Sequence, residues 1–278
     1  MDPLEFLRFD PDLSSGSVIA AYDELPLWSA MFGLLLLEEV PLTRAKVALD
    51  VGCGTGFPLI ELAERLGPAA HVHGLDPWKG GLRRAAEKLT SRATPNVTLH
   101  EGTANAMPFA DATFDLLVSN LGVNNFEDRA GAIRECRRVA KPGAVLALTT
   151  NLQGHMQEFY AAFDEVLEAA GDREGRGRLR DHVRHRATIP QIEDLLGQGG
   201  FSVKRVIERT GRMRFASGTA LFRHHFIKLG FLDAWKKVVP GRETEMFLRL
   251  QVRLDESAED RGGLSLTVPM AYVEAIAV

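Results

Sequence analysis

The chain changes its hydrophobic period several times. Val47–Val51, VALDV, is apolar apart from Asp50 and reads as a buried strand. The period then lengthens: Leu59, Ile60, Leu62, Ala63 and Leu66 share one helical face, and Gly67-Pro68 ends it. Short apolar runs recur at 71–75, 96–100, 114–119 and 144–150. Two more helical patterns lie among them. One carries Leu82, Ala85, Ala86 and Leu89; the other carries Ile133, Cys136, Val139 and Ala140, stopped by Lys141-Pro142-Gly143. Strands alternating with crossover helices predict a parallel sheet covered on both faces.

The rhythm breaks after Asn151. Residues 155–170 read as a helix, 172–186 as an arginine-rich loop, 188–198 as a short helix closed by Gly199-Gly200, and 201–208 as a strand. Residues 219–257 read as two helices, seeded by Phe222, Phe226 and Leu229 and by Phe247, Leu250 and Leu254. After Gly262-Gly263 the chain returns to strand over 264–276. Residues 1–40 read as loops and short helices around AYDELPLWSAMFG. The expected organisation is an N-terminal lid segment (1–40), an α/β domain (41–218), a helical insert or cap (219–261) and a final strand returning to the α/β domain (262–278).

A chain of 278 residues suits one α/β domain with an appended subdomain. Its net charge of −4 argues against nucleic acid as the main partner. Cys53 and Cys136 make neither a disulfide framework nor a four-cysteine zinc site, and no metal is expected. The N-terminus, MDPLEFLRFDPD, is acidic and broken by prolines, unlike a secretory signal, and the apolar stretch near 31–37 is too short to span a membrane. A cytoplasmic protein without a membrane partner is expected; a homodimer stays open. The run from Arg173 to Arg186 holds six arginines with His182 and His185, diluted by Asp172, Glu174 and Asp181, and reads as solvated surface.

Chemistry concentrates at Gly52-Cys53-Gly54-Thr55-Gly56. A P-loop needs a lysine after its last glycine, and none follows. A dinucleotide turn needs G-x-G-x-x-G. Here Phe57 holds the third position and glycine comes one residue early, at Gly56. A bare glycine turn is the remaining plain reading. LDVGCGTG resembles motif I of the class I S-adenosylmethionine-dependent methyltransferases. Further matches follow in order: His73-Gly74-Leu75-Asp76, then EGTANAMPFADATFDLLVSNLGV (101–123), then RECRRVAKPGAVLALTT (134–150). The resemblance covers roughly 45–152 and is closest to the small-molecule group that includes ubiquinone and menaquinone methyltransferases.

The resemblance implies a Rossmann-like α/β sheet, mostly parallel with its last strand antiparallel, and helical cap elements. It implies S-adenosylmethionine as cofactor. Backbone at Gly52, Cys53 and Gly54 would meet the methionyl part, with Asp50 near its amino group and Asp76 on the ribose. Pro77 and Trp78 follow Asp76, and Trp78 would either pack on the adenine or be an ordinary half-buried tryptophan. Thr103, Ala104 and Asn105 lie where the family binds the adenine edge; many relatives carry aspartate at the position of Thr103. Asn120 and Leu121 end the fourth strand, where ligands bind in open α/β sheets.

The acceptor is expected to be a small molecule, attacked in line with the departing sulfur. Tyr22 and His155 are candidates for the catalytic groups, His155 as the base; either could be packing alone. Trp28, Asn124, Asn125 and Phe222 are candidates for the acceptor pocket, although adjacent asparagines also suit a plain turn. His224-His225 does not suggest metal, because neighbours on a helix point about 100° apart. Alternatives are a catalytically silent partner subunit that binds the cofactor, and a methyltransferase for a macromolecule. The reading SNLG at 119–122 lacks the Asn-Pro-Pro-Tyr-like tetrapeptide of base-N-methylating enzymes.

Overall fold

A computed structural model of the chain describes residues 4–24, 27–42 and 46–278. The apolar runs form strands β1 (Val47–Val51), β2 (His71–Asp76), β3 (Val97–Glu101), β4 (Phe114–Asn120), β5 (Ala140–Asn151), β6 (Phe201–Phe215) and β7 (Leu264–Ala277). They make one seven-stranded sheet in the order β3-β2-β1-β4-β5-β7-β6. Neighbours from β3 to β5 are parallel, while β7 runs antiparallel to β5, pairing Val145 with Ile276 and Asn151 with Met270. This is the Rossmann-like sheet expected. The strand order reverses between β1 and β4, and that reversal opens a crevice at their carboxyl ends.

Helices α1 (Gly16–Asp23) and α2 (Leu27–Glu39) precede β1. Helices α3 (Leu59–Leu66), α4 (Lys79–Arg92) and α5 (Arg129–Val139) lie along the parallel half. Helices α6 (Gln157–Ala169), α7 (Arg173–Arg184) and α8 (Ile189–Gln198) separate β5 from β6. Between β6 and β7 come α9 (Gly218–Arg223), α10 (His225–Gly230), α11 (Leu232–Lys236) and α12 (Glu243–Arg261). The expected pair of helices is thus four, because His224 and Phe231 interrupt the first of them as caps and split it into three.

The chain divides into two compact units. The sheet unit holds Leu13–Asn151, Thr188–Arg209 and Met270–Val278; the helical unit holds Met1–Asp12, Leu152–Ala187 and Thr210–Pro269. This division differs from the four segments expected. The first forty residues are split, and the helical unit also takes α6 and α7 and the strand ends near 210–215 and 264–269. The reason is aromatic packing: Phe6 stacks on Phe222 with centroids 4.7 Å apart, which ties the N-terminus to α9. Phe159 stacks on Trp235 at 4.1 Å, and Phe163 and Phe247 close the same core. Phe222 is 1% exposed within it, so its expected place in an acceptor pocket is corrected to core packing.

The arginine-rich loop is also corrected, to helix α7. Asp172 caps it by accepting from the Gly175 N–H at 2.7 Å, and Leu179 is buried. Arg176 grips Asp164 of α6 through Nε at 2.8 Å and Nη2 at 2.7 Å, and reaches Glu168 at 2.7 Å. Composition alone suggested solvation, but Arg176 has these carboxylates waiting, and Arg178 donates to the Val238 carbonyl at 2.7 Å. Among the described residues no single helix is long and apolar enough to cross a membrane.

A histidine cluster joins β2 to β3. His73 Nδ1 and His100 Nε2 lie 2.9 Å apart and share one hydrogen bond, while Phe109 and Phe114 pack edge-on to His73. Burial, then the charges of His71 and His100, hold His73 down to about 4. The unfolded chain therefore binds more protons between that value and the ordinary 6.5. We expect urea-unfolding stability to fall as pH drops from 6.5 toward 4, and His73→Phe to flatten that slope; an unchanged slope contradicts the assignment. We also expect Phe222→Ala to cost roughly 3–5 kcal/mol of stability, read by calorimetric unfolding, since it empties an aromatic core position.

Candidate active site

The crevice is built from the ends of β1, β2 and β4. After β1 the backbone turns through Gly52 (φ 85°), Gly54 (φ 51°) and Gly56 (φ 100°), all left-handed, which residues with a Cβ resist. The turn hangs on β2: the Gly52 and Cys53 N–H groups donate to the Leu75 carbonyl at 2.8 and 3.2 Å. A Cβ on Gly54 would meet nothing within 4 Å, and one on Gly52 only Gly122 Cα at 3.5 Å. The space above these two positions is open, so another molecule can approach their backbone. Gly56 differs, since a Cβ there would press Ile60 Cδ1 at 2.9 Å; this glycine lets α3 close onto the strand.

Asp76 ends β2 and is 9% exposed. Its Oδ2 accepts from the Gly54 N–H at 2.8 Å and its Oδ1 from the Trp78 N–H at 2.8 Å. One carboxylate thus ties the glycine turn to the start of α4. Burial pushes its pKa up, and the two N–H donors oppose that. Each oxygen keeps a lone pair for a further donor. Trp78, half-buried, hydrogen-bonds through Nε1 to the Leu13 carbonyl at 3.2 Å. Tyr22 of α1 packs edge-on against it, centroids 5.1 Å apart. Tyr22 is 41% exposed; desolvation around its hydroxyl, then the charge of Asp76, raises its pKa, and the hydroxyl stays protonated. Pro77 and Trp78 also edge an open groove of about 1040 Å³ with Leu82 and Leu99.

Asp50 carries the largest electrostatic cost in the crevice. It is fully buried in the middle strand, and neither carboxylate oxygen has a hydrogen-bond partner. Burial, then the charge of Asp76, pushes it up to about 8, while the Leu59 backbone N–H at the start of α3 works the other way. Cys53 lies between these carboxylates; burial and both charges raise its thiol pKa, so it stays a thiol and offers no nucleophile.

The end of β4 closes the crevice. Ser119 donates to the Val51 carbonyl at 2.8 Å, stitching β4 to β1. Leu121 takes a left-handed φ of 64°, and a Cβ on Gly122 would strike the Val51 carbonyl at 2.8 Å. Asn120 accepts from the Thr149 hydroxyl at 2.7 Å and donates to the Ser29 carbonyl of α2 at 3.1 Å. Asn124 donates to Asn151 at 2.9 Å and accepts from Thr150 at 2.6 Å, so its amide is spent holding the loop to β5. Asn125 is exposed and ends the short turn after β4. Trp28 leans on Phe32, centroids 4.9 Å apart, within α2.

The remaining candidates are less central. Thr103 is exposed, Ala104 is 8% exposed, and Asn105 donates to the Asp128 carbonyl at 2.7 Å, bracing the cap of α5. His155 belongs to the helical unit, where it is 2% exposed and lies 5.6 Å from the Phe231 ring. Burial, then Arg186 and His182, hold its pKa down to about 3. His224 and His225 sit against Phe215 and Phe9, and the described residues hold no cluster that could bind a metal. Sequence reasoning missed Ser119 and Gly122, which stitch the strand ends. The serine carried no signal; the glycine signalled only that a backbone approaches closely.

Comparison with known proteins agrees with this architecture. Residues 49–148 match the family described as a methyltransferase domain. The chain is 34% identical over 174 residues to a demethylmenaquinone methyltransferase of Anoxybacillus flavithermus, covering 59% of this chain and 73% of that protein. A solved S-adenosylmethionine-dependent methyltransferase from Aquifex aeolicus superposes with a TM-score of 0.58 at 18% identity, covering 95% of this chain and 99% of that one. The YcgJ protein of Bacillus subtilis superposes with a TM-score of 0.57 at 19% identity, covering 89% and 98%. These last two likenesses concern the fold.

The burial of Asp50 has a consequence that needs no ligand. Its folded pKa of about 8 lies above the ordinary 3.8, so its favourable contribution is present in acid and lost as pH rises toward 8. We expect Asp50→Asn to raise the melting temperature of the ligand-free protein at pH 8 and to leave it nearly unchanged at pH 4. Equal shifts at both values would place the effect elsewhere.

Proposed function

The chain belongs to the class I S-adenosylmethionine-dependent methyltransferases, and on that premise we propose that it transfers a methyl group to a small aromatic acceptor of the quinol kind, by in-line displacement. It is an enzyme, and S-adenosylmethionine is its methyl donor. The single observation that carries the site reading is Asp50: a fully buried carboxylate without a hydrogen-bond partner, beneath a glycine turn with open space above it. Such a group holds its charge at low cost only when a cation arrives to share it.

The residues present fit the cofactor on this reading. Asp50 takes the ammonium of the methionyl part. The backbone of Gly52, Cys53 and Gly54 lies along that part, where a Cβ would stand in the way. Asp76 uses its remaining lone pairs for the two ribose hydroxyls, and Pro77 and Trp78 flank the adenine, with Thr103, Ala104 and Asn105 along its edge. Asn120 and Leu121 form the rim at the end of β4. When bound, the cofactor supplies a methyl carbon on a cationic sulfur, whose charge vanishes as the bond breaks. The chain's part is to orient the two reactants and exclude water.

The acceptor reading rests on the likeness to demethylmenaquinone methyltransferases. Tyr22 stands beside Trp78 and Asp76, and its protonated hydroxyl serves as a donor that positions the acceptor. Trp28 and Asn125 remain candidates for the pocket rim. His155 is a poor general base, because a group with a pKa near 3 takes a proton weakly at neutral pH.

Calorimetric titration with S-adenosylmethionine and, separately, NAD tests the cofactor reading. Binding of the first alone supports it; binding of NAD alone overturns it. Transfer of a labelled methyl group to a demethylated naphthoquinol tests the acceptor, and absence of label with a cofactor-binding protein would send the search to other small molecules. We expect Asp50→Asn to weaken S-adenosylmethionine binding by about tenfold or more, the worth of one charge-assisted contact. We expect His155→Gln to leave the pH profile of kcat/KM unchanged; loss of a limb of that profile would restore His155 as the base.

A further inference from the structure

Helix α1 has little to hold it in place. It is eight residues long, and Ile19 is its single buried side chain. A helix this short is marginal in water, and one buried isoleucine does not make it otherwise. Its last residue, Asp23, supplies what the apolar face lacks. The Asp23 side chain is 10% exposed and forms ion pairs with two residues of α4, Arg84 through Nε at 2.8 Å and Lys88 through Nζ at 2.6 Å. Burial works to raise the Asp23 pKa, but Lys88, Arg84 and the nearby Thr55 hydroxyl outweigh it and hold the carboxyl below the usual carboxylate range. Arg84 and Lys88 are four residues apart and lie on one face of α4.

The contacts around this carboxylate are all directed at the same place. Ile19 lies over Gly80 so closely that a Cβ there would meet Ile19 Cδ1 at 2.6 Å. Gly81 lets Trp78 and the Gly54 backbone meet, with a Cβ at 2.6 Å from Trp78 Cε3 and 3.1 Å from the Gly54 carbonyl. Tyr22 immediately precedes Asp23 and packs on Trp78. Asp23 therefore joins two elements: the N-terminal helix that carries Tyr22 and the helix that begins at Trp78.

We propose that Asp23 is a positioning residue: a latch whose ion pairs with Arg84 and Lys88 hold α1, and with it Tyr22, closed over the cofactor. The proposal rests on the cofactor reading above. The latch acts on residence time. An ion pair that must break before a lid opens slows release, and because the pairs are formed without ligand it slows entry as well. The paired groups are partly exposed, so salt weakens them.

Stopped-flow measurement of S-adenosylhomocysteine association and release, with the intact chain, tests this. We expect Asp23→Asn to release the ligand about tenfold faster and to bind it no more slowly than wild type, while the variant stays folded. Arg84→Met and Lys88→Met, which each remove one arm of the latch on the face of α4 toward α1, should give smaller accelerations, and they decide the matter if Asp23→Asn fails to fold. Raising salt should speed release from wild type more than from Asp23→Asn, a difference that loss of packing alone would not produce. Unchanged release in all folded variants overturns the latch and leaves the cofactor site standing. A wild-type protein that binds neither S-adenosylmethionine nor its product overturns both.

Discussion

The Asp76 carboxylate is the joint on which the crevice depends. It stands at the end of β2 and accepts one N–H from the glycine turn and one from the start of α4. Without it the turn after β1 would keep its hydrogen bonds to Leu75 but lose the link that fixes Gly54 relative to Trp78. The same group lends its charge to Asp50, Cys53 and Tyr22. A residue expected from the family pattern to hold a ribose is thus also a structural brace. Its two oxygens have enough lone pairs for both tasks.

The crevice is electrostatically expensive in the ligand-free state. Asp50 and Asp76 are both buried, both have raised pKa values, and only one of them has N–H donors in hydrogen-bond geometry. This imbalance separates the two carboxylates by role. The satisfied one shapes the backbone; the unsatisfied one is left for a cation. In the helical unit, by contrast, Trp235 Nε1 donates to the Tyr160 hydroxyl at 3.2 Å, which lies 3.0 Å from His182 Nε2.

Legibility followed the range of the interactions. The strand–helix alternation from 47 to 150 was readable because each element buries its own period, and the strands fall within a few residues of expectation. β5 and β6 ran longer than the apolar runs suggested, to Ala140–Asn151 and Phe201–Phe215, because pairing partners extend a strand past its apolar stretch. The arginine-rich segment misled, since charge looks like solvent exposure until Asp164 and Glu168 of α6 are placed beside it. Phe222 misled in the opposite direction: an aromatic on a predicted cap looks like a pocket until Phe6, more than two hundred residues earlier, stacks on it.

The sequence by itself determined the parallel α/β core, the glycine turn with its flanking acids, and the family, because these reside in short local patterns whose spacing is set by backbone geometry. Only the tertiary structure decided which of those residues are occupied and which are free. It spent the amides of Asn120, Asn124 and Asn105 on holding loops, left Asp50 without a hydrogen bond, and joined Asp23 to two cations sixty-one and sixty-five residues away. A hydrogen bond or an ion pair depends on angstrom-scale distances between distant segments, and no local period encodes those distances.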